Sequence, residues 1–106
     1  MEQSRVVITG LGAVTPLGLT AEDSWQAVRR GVCGIGPITH YDASAQKVKL
    51  AAEVKDFIPE NYLGRPEAKR MARFTQFAVV AAKQALADAG LSAEQTDPDR
   101  CGVIVS

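Results

Sequence analysis

The apolar positions along the chain fall into short continuous runs separated by stretches with helical spacing. Residues 5–9, RVVIT, are β-branched and almost wholly apolar, and a continuous run of this kind predicts a strand buried on both faces. Residues 101–105, CGVIV, predict a second such strand after a turn over residues 96–99. Residues 49–54 predict a short third strand, which their two alanines support only weakly.

The first helical stretch follows residue 19. Thr20 is suited to cap the N-terminus of a helix, and Gly31 is suited to end it in the left-handed region. Between them, Ala21, Trp25 and Val28 recur at helical spacing and form one apolar stripe. Residues 31–47, which are rich in glycine, predict an irregular connection.

The second helical stretch is the longest predicted element. Pro66 suits the first position of a helix, and helix-forming residues continue through Ala89 to a terminating Gly90. Its stripe consists mainly of small side chains: Met71, Phe74, Ala78, Ala81, Ala82, Ala85 and Ala89. Because small side chains let another element approach closely, we expect the second half of this helix to be deeply buried.

The order of these elements predicts the α/β class. We interpret residues 1–106 as one incomplete N-terminal segment, since the last predicted strand ends one residue before the chain does. With 46% hydrophobic residues the chain is too apolar for a disordered tail, and no apolar run is long enough for a membrane span. Twelve basic and twelve acidic side chains argue against general nucleic-acid binding. The absence of an apolar leader predicts a cytoplasmic location.

The glycine pair after the first predicted strand does not form a nucleotide-binding motif. A dinucleotide fingerprint needs a third glycine where Thr15 stands, and Pro16 and Gly18 interrupt the helix that should follow. A phosphate-binding loop would need a Gly-Lys-Ser/Thr ending, which is absent. We therefore expect Gly10 and Gly12 to permit a tight turn and close backbone packing.

The remaining reactive side chains predict no catalytic, cofactor or metal site. Cys33 and Cys101 lie too far apart for a CxxC pair, and local sequence offers neither thiol an activating base or helix N-terminus. The single histidine, His40, makes a zinc site built from His and Cys improbable and is interpreted as structural.

A basic cluster opens the long predicted helix. Arg65, Lys69, Arg70 and Arg73, with Glu67 among them, give residues 65–73 a net charge of +3. On one continuous helix these cations share a face within its first two turns, where the helix dipole disfavours them. Two interpretations remain open: a solvated face partly balanced by Glu67, or a docking surface for an acidic partner.

Several short motifs, in order along the whole chain, resemble the β-ketoacyl-acyl-carrier-protein synthases, and in particular their synthase II type. The motifs are RVVITGLGAVTPLG at residues 5–18, Trp25, Gly34-Ile35, HYDAS at residues 40–44, residues 65–76 with Lys69-Arg70-Met71 and Phe74, then Ala85, Asp88, Gly90 and residues 102–104. Each motif alone is weak, and their order is specific.

The resemblance implies a partial thiolase-like fold, here the first part of an N-terminal α/β half, and a homodimeric acyltransferase without metal or nucleotide cofactor. Such enzymes acylate a cysteine, decarboxylate malonyl on acyl carrier protein and join the two in a Claisen-type condensation of fatty-acid elongation. Cys33, Cys101 and His40 match none of the family's catalytic motifs, which lie further along. The 106-residue chain alone is therefore expected to be inactive.

The resemblance also favours the docking interpretation of the basic cluster. Lys69 and Arg70 align with the basic pair that meets the acidic carrier protein, and Arg65 aligns with a neighbouring basic position. Pro66 stands where some relatives have another lysine, and Arg73 supplies a cation from the adjoining turn. Two rival functions stay open: a catalytically silent relative, such as the chain-length partner of a polyketide synthase, and a stand-alone carrier-binding module. A polyketide condensing domain is a closer variant that also stays open.

Overall fold

The computed structural model describes residues 2–106, so that Met1 of the predicted segment lies outside the described residues. The helices are α1 (Ala21–Arg29), α2 (Arg65–Arg70) and α3 (Arg73–Ala89), and the strands are β1 (Ile35–Pro37) and β2 (Leu50–Ala52). Single 3-10 turns lie at Pro59–Asn61 and Pro98–Arg100.

Helix α1 begins and ends where its sequence predicts. The Thr20 hydroxyl accepts a hydrogen bond from a backbone N–H of the first turn at 3.0 Å, and Gly31 follows the helix with φ of +69°. The predicted stripe, however, is not the buried face, because Ala27 is buried while Trp25 and Val28 are exposed. Within residues 2–106, α1 therefore leaves much of its apolar stripe uncovered.

The two short strands form one antiparallel hairpin. Strand β2 confirms the centre of the run predicted at residues 49–54, and it pairs with β1 in the register Ile35 to Ala52 and Pro37 to Leu50. Strand β1 lies in the stretch predicted to be irregular. Its sequence, Ile-Gly-Pro, does not predict a strand, because glycine and proline are depleted in strands.

The strands predicted at residues 5–9 and 101–105 are wrong for the described part of the chain. Neither run pairs with another strand among residues 2–106, and Ile104 is 98% exposed. A strand requires a hydrogen-bonded neighbour as well as an apolar run. The apolar pattern in the sequence identifies the apolar run, and it carries no information about whether a neighbouring strand is present.

The overall dimensions show how little surface this chain buries. Its radius of gyration is 17.4 Å, whereas a compact domain of this length has about 13 Å. Its accessible surface is 8889 Å², against roughly 5,700 Å² for a folded monomer of the same mass. Residues 2–106 therefore present a large apolar surface that an autonomous domain would bury.

The single long helix predicted from Pro66 to Ala89 is also wrong. The chain leaves the helical region at Met71 (φ −103°, ψ 137°) and Ala72 (φ −65°, ψ 157°), which separates α2 from α3. Ala68 (3% exposed) and Val80 (1% exposed) join one buried cluster with Phe57 and Leu63. On a continuous helix Ala68 and Val80 would point about 120° apart, so the break brings both into the same core.

The expected burial of the second half of the helix is only partly observed. Val80 is the one buried residue of α3, and Phe74, placed on the predicted stripe, is 77% exposed. The predicted stop is confirmed, since Gly90 caps α3 with φ of +68°.

The small residues of α3 do allow a close approach, as predicted. The segment that contains Gly10 and Gly12 packs along the helix there. A Cβ added at Gly12 would overlap the Ala81 carbonyl oxygen and lie 2.8 Å from the backbone nitrogen of Ala85. A Cβ at Gly10 would meet the same helix one turn further on. Glycine is required at both positions because backbone packs on backbone.

We predict that Gly12→Ala destabilises the protein by about 1–3 kcal/mol, since the added methyl group must push the segment away from α3. Gly36→Ala is the matched control, because a Cβ there meets nothing within 4 Å among the described residues. The measurement is the unfolding midpoint of the native protein that carries this chain. Equal midpoints for the two variants would contradict the proposed backbone contact.

Candidate functional site

Helix α2 carries the predicted basic residues. It begins after Gly64, with Pro66 in its first turn, and the Ala68 N–H donates to the Gly64 carbonyl at 2.9 Å. Ala68 is its buried residue, while Arg65, Lys69 and Arg70 are exposed. We call these three exposed residues the basic surface.

The position of the basic surface differs from the sequence prediction. Because the helix breaks at Met71, Lys69 and Arg70 lie in the last turn of α2, where a helix dipole favours cations. The predicted conflict with the dipole is therefore wrong for these two residues. Among residues 2–106, none of the cations of the basic surface pairs with a carboxylate, so its charge is open to solvent.

Arg73 lies outside α2 and makes contacts of its own. Arg73 is the first residue of α3, and its Nη2 donates to the Val54 carbonyl at 3.0 Å. Its guanidinium carbon lies 5.0 Å from the ring centre of Phe77 and 5.7 Å from that of Phe57. Arg73 thus joins α3 to the segment after β2 through a hydrogen bond and two cation–π contacts.

Gln76 connects the two helices and was missed by the sequence analysis. Its Nε2 donates to the Ala68 carbonyl at 2.9 Å and lies 3.5 Å from the Met71 carbonyl. Both carbonyls lie at the C-terminal end of α2, where the Ala68 carbonyl also accepts from the Met71 N–H at 3.3 Å and the last carbonyls of a helix lack their usual partners four residues on. A single uninterrupted helix would satisfy these acceptors itself, so only the break reveals this role.

Two polar side chains of α3 form hydrogen bonds with the N-terminal segment that packs along the helix. Gln84 accepts from the Ala13 N–H at 3.1 Å and donates to the Leu19 carbonyl at 2.6 Å. Asp88 accepts from the Leu11 N–H at 3.0 Å. These bonds, together with the glycine contacts, fix the N-terminal segment on α3.

His40 lies in a contact between the loop before β2 and the residue that follows β2. Its Nε2 is 3.3 Å from Glu53 Oε2. The Glu53 carboxylate also accepts from the Thr39 backbone N–H and hydroxyl, both at 2.7 Å. These two bonds, with a smaller contribution from the neighbouring His40, lower the pKa of Glu53 below its ordinary value. The arrangement fits the structural interpretation of His40.

The two cysteines lie apart from any catalytic arrangement in the described residues. Both are exposed; the Cys33 thiol faces the Ile35 carbonyl at 3.8 Å, and the Cys101 thiol faces the Asp97 carbonyl at 3.2 Å. Across residues 2–106, no three His, Cys, Asp or Glu side chains converge as metal ligands. In the same range, no helix has the length and apolar character needed to cross a membrane.

A family model described as "Beta-ketoacyl synthase, N-terminal domain" matches residues 3–106. The chain belongs to the β-ketoacyl synthase family. This confirms the resemblance drawn from its motifs.

Three curated relatives of this β-ketoacyl synthase chain share one name. It is 50% identical over 105 residues to 3-oxoacyl-(acyl-carrier-protein) synthase 2 of Synechocystis, covering 99% of this chain and 25% of that protein. The enzyme of the same name from Coxiella burnetii is 46% identical over the same shares. The enzyme of the same name from Staphylococcus aureus is 44% identical to this chain, over 96% of this chain and 25% of the relative. The chain spans about a quarter of their length.

Solved structures give the same fold. One titled "The ishigamide ketosynthase/chain length factor" matches with a TM-score of 0.75 and 35% identity, over 83% of this chain and 22% of that one. A β-ketoacyl synthase from Burkholderia phymatum matches with a TM-score of 0.70 and 31% identity, over 92% and 24%. The expected partial thiolase-like α/β fold is confirmed.

We predict that Arg73→Met lowers the free energy of unfolding by about 1–3 kcal/mol, because it removes one hydrogen bond and two cation–π contacts. Arg70→Met is the control, since Arg70 makes no side-chain hydrogen bond or ion pair among the described residues. Thermal unfolding of both variants checks this, and an equal loss in the two would contradict the assigned contacts of Arg73.

We predict that the Glu53 contact stabilises the protein above the ordinary carboxyl pKa of 4.5. Because the pKa is lower in the folded state, this stabilisation is lost as the pH falls through that folded-state value. The measurement is the melting temperature of wild type and Glu53→Gln from pH 7 to acid. The two curves should differ at neutral pH and converge in acid, and a constant difference would contradict the assignment.

Proposed function

We propose that the native protein carrying this chain is a 3-oxoacyl-(acyl-carrier-protein) synthase, and that residues 1–106 are its N-terminal segment. The observation that carries this proposal is 50% identity, over 99% of the chain, to a relative of that name. A cytoplasmic location, a homodimer and a reaction without metal or nucleotide cofactor belong to the same proposal.

The proposed reaction proceeds through a thioester on the enzyme. A cysteine thiolate attacks an acyl thioester and releases the donor thiol. Malonyl on the carrier loses carbon dioxide, and the resulting enolate carbon attacks the acyl-enzyme carbonyl and releases the cysteine thiolate. Cys33 and Cys101 are exposed, and their thiols face backbone carbonyls. We therefore assign the nucleophile to sequence beyond this segment, and we assign to the segment the carrier surface and part of the scaffold.

The basic surface suits an acidic carrier protein. Its three cations are exposed and unpaired within residues 2–106, and clustered like charges accelerate the encounter with a partner of opposite charge. Arg73, which the sequence places in the same cluster, is engaged by the Val54 carbonyl. We therefore assign docking to Arg65, Lys69 and Arg70.

The direct test is condensation by the native-length protein, supplied with an acyl thioester and malonyl carrier protein. We expect carbon dioxide release together with a 3-oxoacyl carrier product. The alternative is a catalytically silent chain-length partner, favoured by the structural match whose title names a ketosynthase/chain length factor. A native protein that forms no acyl-enzyme and no product would support that alternative.

We predict that Lys69→Glu with Arg70→Glu raises the KM for malonyl carrier protein by about tenfold at low salt, because two attractive charges become repulsive. The effect should shrink as ionic strength rises. Lys83→Glu is the matched control, an exposed charge reversal in the middle of α3. An unchanged KM in the double variant would contradict docking through the basic surface.

A further inference from the structure

Helix α2 is too short to hold its own shape. It has six residues, and isolated helices well over that length are marginal in water. Tertiary contacts must therefore fix it. A docking surface gains affinity when its charges are already ordered before the partner arrives, so the contacts that fix α2 bear directly on docking.

Within residues 2–106, α2 contacts the 3-10 turn at Pro59–Asn61. Two further contacts hold it near its middle and at its C-terminal end. Near its middle, Ala68 is buried in the cluster with Phe57, Leu63 and Val80, and an alanine contributes only a small contact area. At its C-terminal end, the Gln76 amide donates to the Ala68 carbonyl at 2.9 Å and approaches the Met71 carbonyl at 3.5 Å. Gln76 is partly buried, so its amide is shielded from competing water.

Gln84 offers an internal comparison on the same helix. It also donates from its amide to a backbone carbonyl, that of Leu19, at 2.6 Å. Gln84 is partly buried as well. Its bonds hold the N-terminal segment and do not contact α2, so the two glutamines separate a general structural role from a role at the basic surface.

We infer that Gln76 is a positioning residue for carrier-protein docking. It fixes the C-terminal turn of α2, which carries Lys69 and Arg70, at the start of α3. This inference rests on the proposed function. Gln76 touches neither substrate nor carrier, and it acts through the orientation of α2.

The experiment uses Gln76→Leu and Gln84→Leu in the native-length enzyme, with two malonyl donors. One donor is malonyl carrier protein, and the other is a small malonyl thioester that has no protein surface. We expect Gln76→Leu to raise the KM for the carrier-borne donor by about fivefold, with kcat/KM for the small donor unchanged. Gln84→Leu should affect the two donors alike.

The coupling to the basic surface gives a second readout. In a background that already carries Lys69→Glu and Arg70→Glu, Gln76→Leu should add almost nothing to the KM for the carrier. An additive effect, or an equal effect of Gln76→Leu on both donors, overturns the inference and leaves Gln76 with a structural role only.

The failure of this inference is distinguishable from the failure of docking itself. If the charge reversals raise the KM for the carrier and Gln76→Leu does not, the inference is wrong and docking stands. If neither change affects it, docking through α2 is wrong, and the inference falls with it. Should Gln76→Leu fail to fold, Gln76→Asn keeps the amide one methylene too short; it should raise the same KM, and an unchanged value in this variant overturns the inference.

Discussion

The burial of Ala68 and Val80 in one cluster around Phe57 is the constraint on which the arrangement of this segment depends. A continuous helix cannot direct both side chains into the same core, so the chain leaves the helical region at Met71 and Ala72. The break places Lys69 and Arg70 in the last turn of α2. It also lets Arg73, as the first residue of the next helix, lie over two aromatic rings of the same core.

The second contact on which the structure of residues 2–106 depends is the packing of the N-terminal residues along α3. Backbone lies against backbone at Gly10 and Gly12. The side chains of Gln84 and Asp88 accept hydrogen bonds from backbone N–H groups of the same N-terminal segment. The two apolar runs at residues 5–9 and 101–105 form no strand pairing in the described chain. So much exposed apolar surface requires further protein surface to cover it, in keeping with a chain that spans a quarter of its relatives' length.

The structure changes the physical basis of the docking hypothesis. An unfavourable position in the helix dipole is no longer an argument for function at Lys69 and Arg70, because both lie at a C-terminal turn. The argument now rests on exposed charge without partners among residues 2–106, and on the contacts that order the helix bearing it. Arg73 remains exposed, but its guanidinium binds the Val54 carbonyl and lies over the rings of Phe57 and Phe77.

The sequence by itself determined the features that depend on neighbouring residues: the limits of α1, the centre of β2 and the stop at Gly90. Close packing at Gly10 and Gly12 was also predicted, but its partner, the backbone of α3, is a tertiary contact. The ordered motifs of the sequence also determined the family. Only the tertiary structure decided that the long helix breaks, that Arg73 binds the Val54 carbonyl, and that Gln76 holds the end of α2. These contacts join side chains to backbone groups whose positions depend on which distant residues share the core. Local pattern and propensity carry no information about which distant residues pack together. For the same reason they cannot show whether residues 5–9 and 101–105 have strand partners.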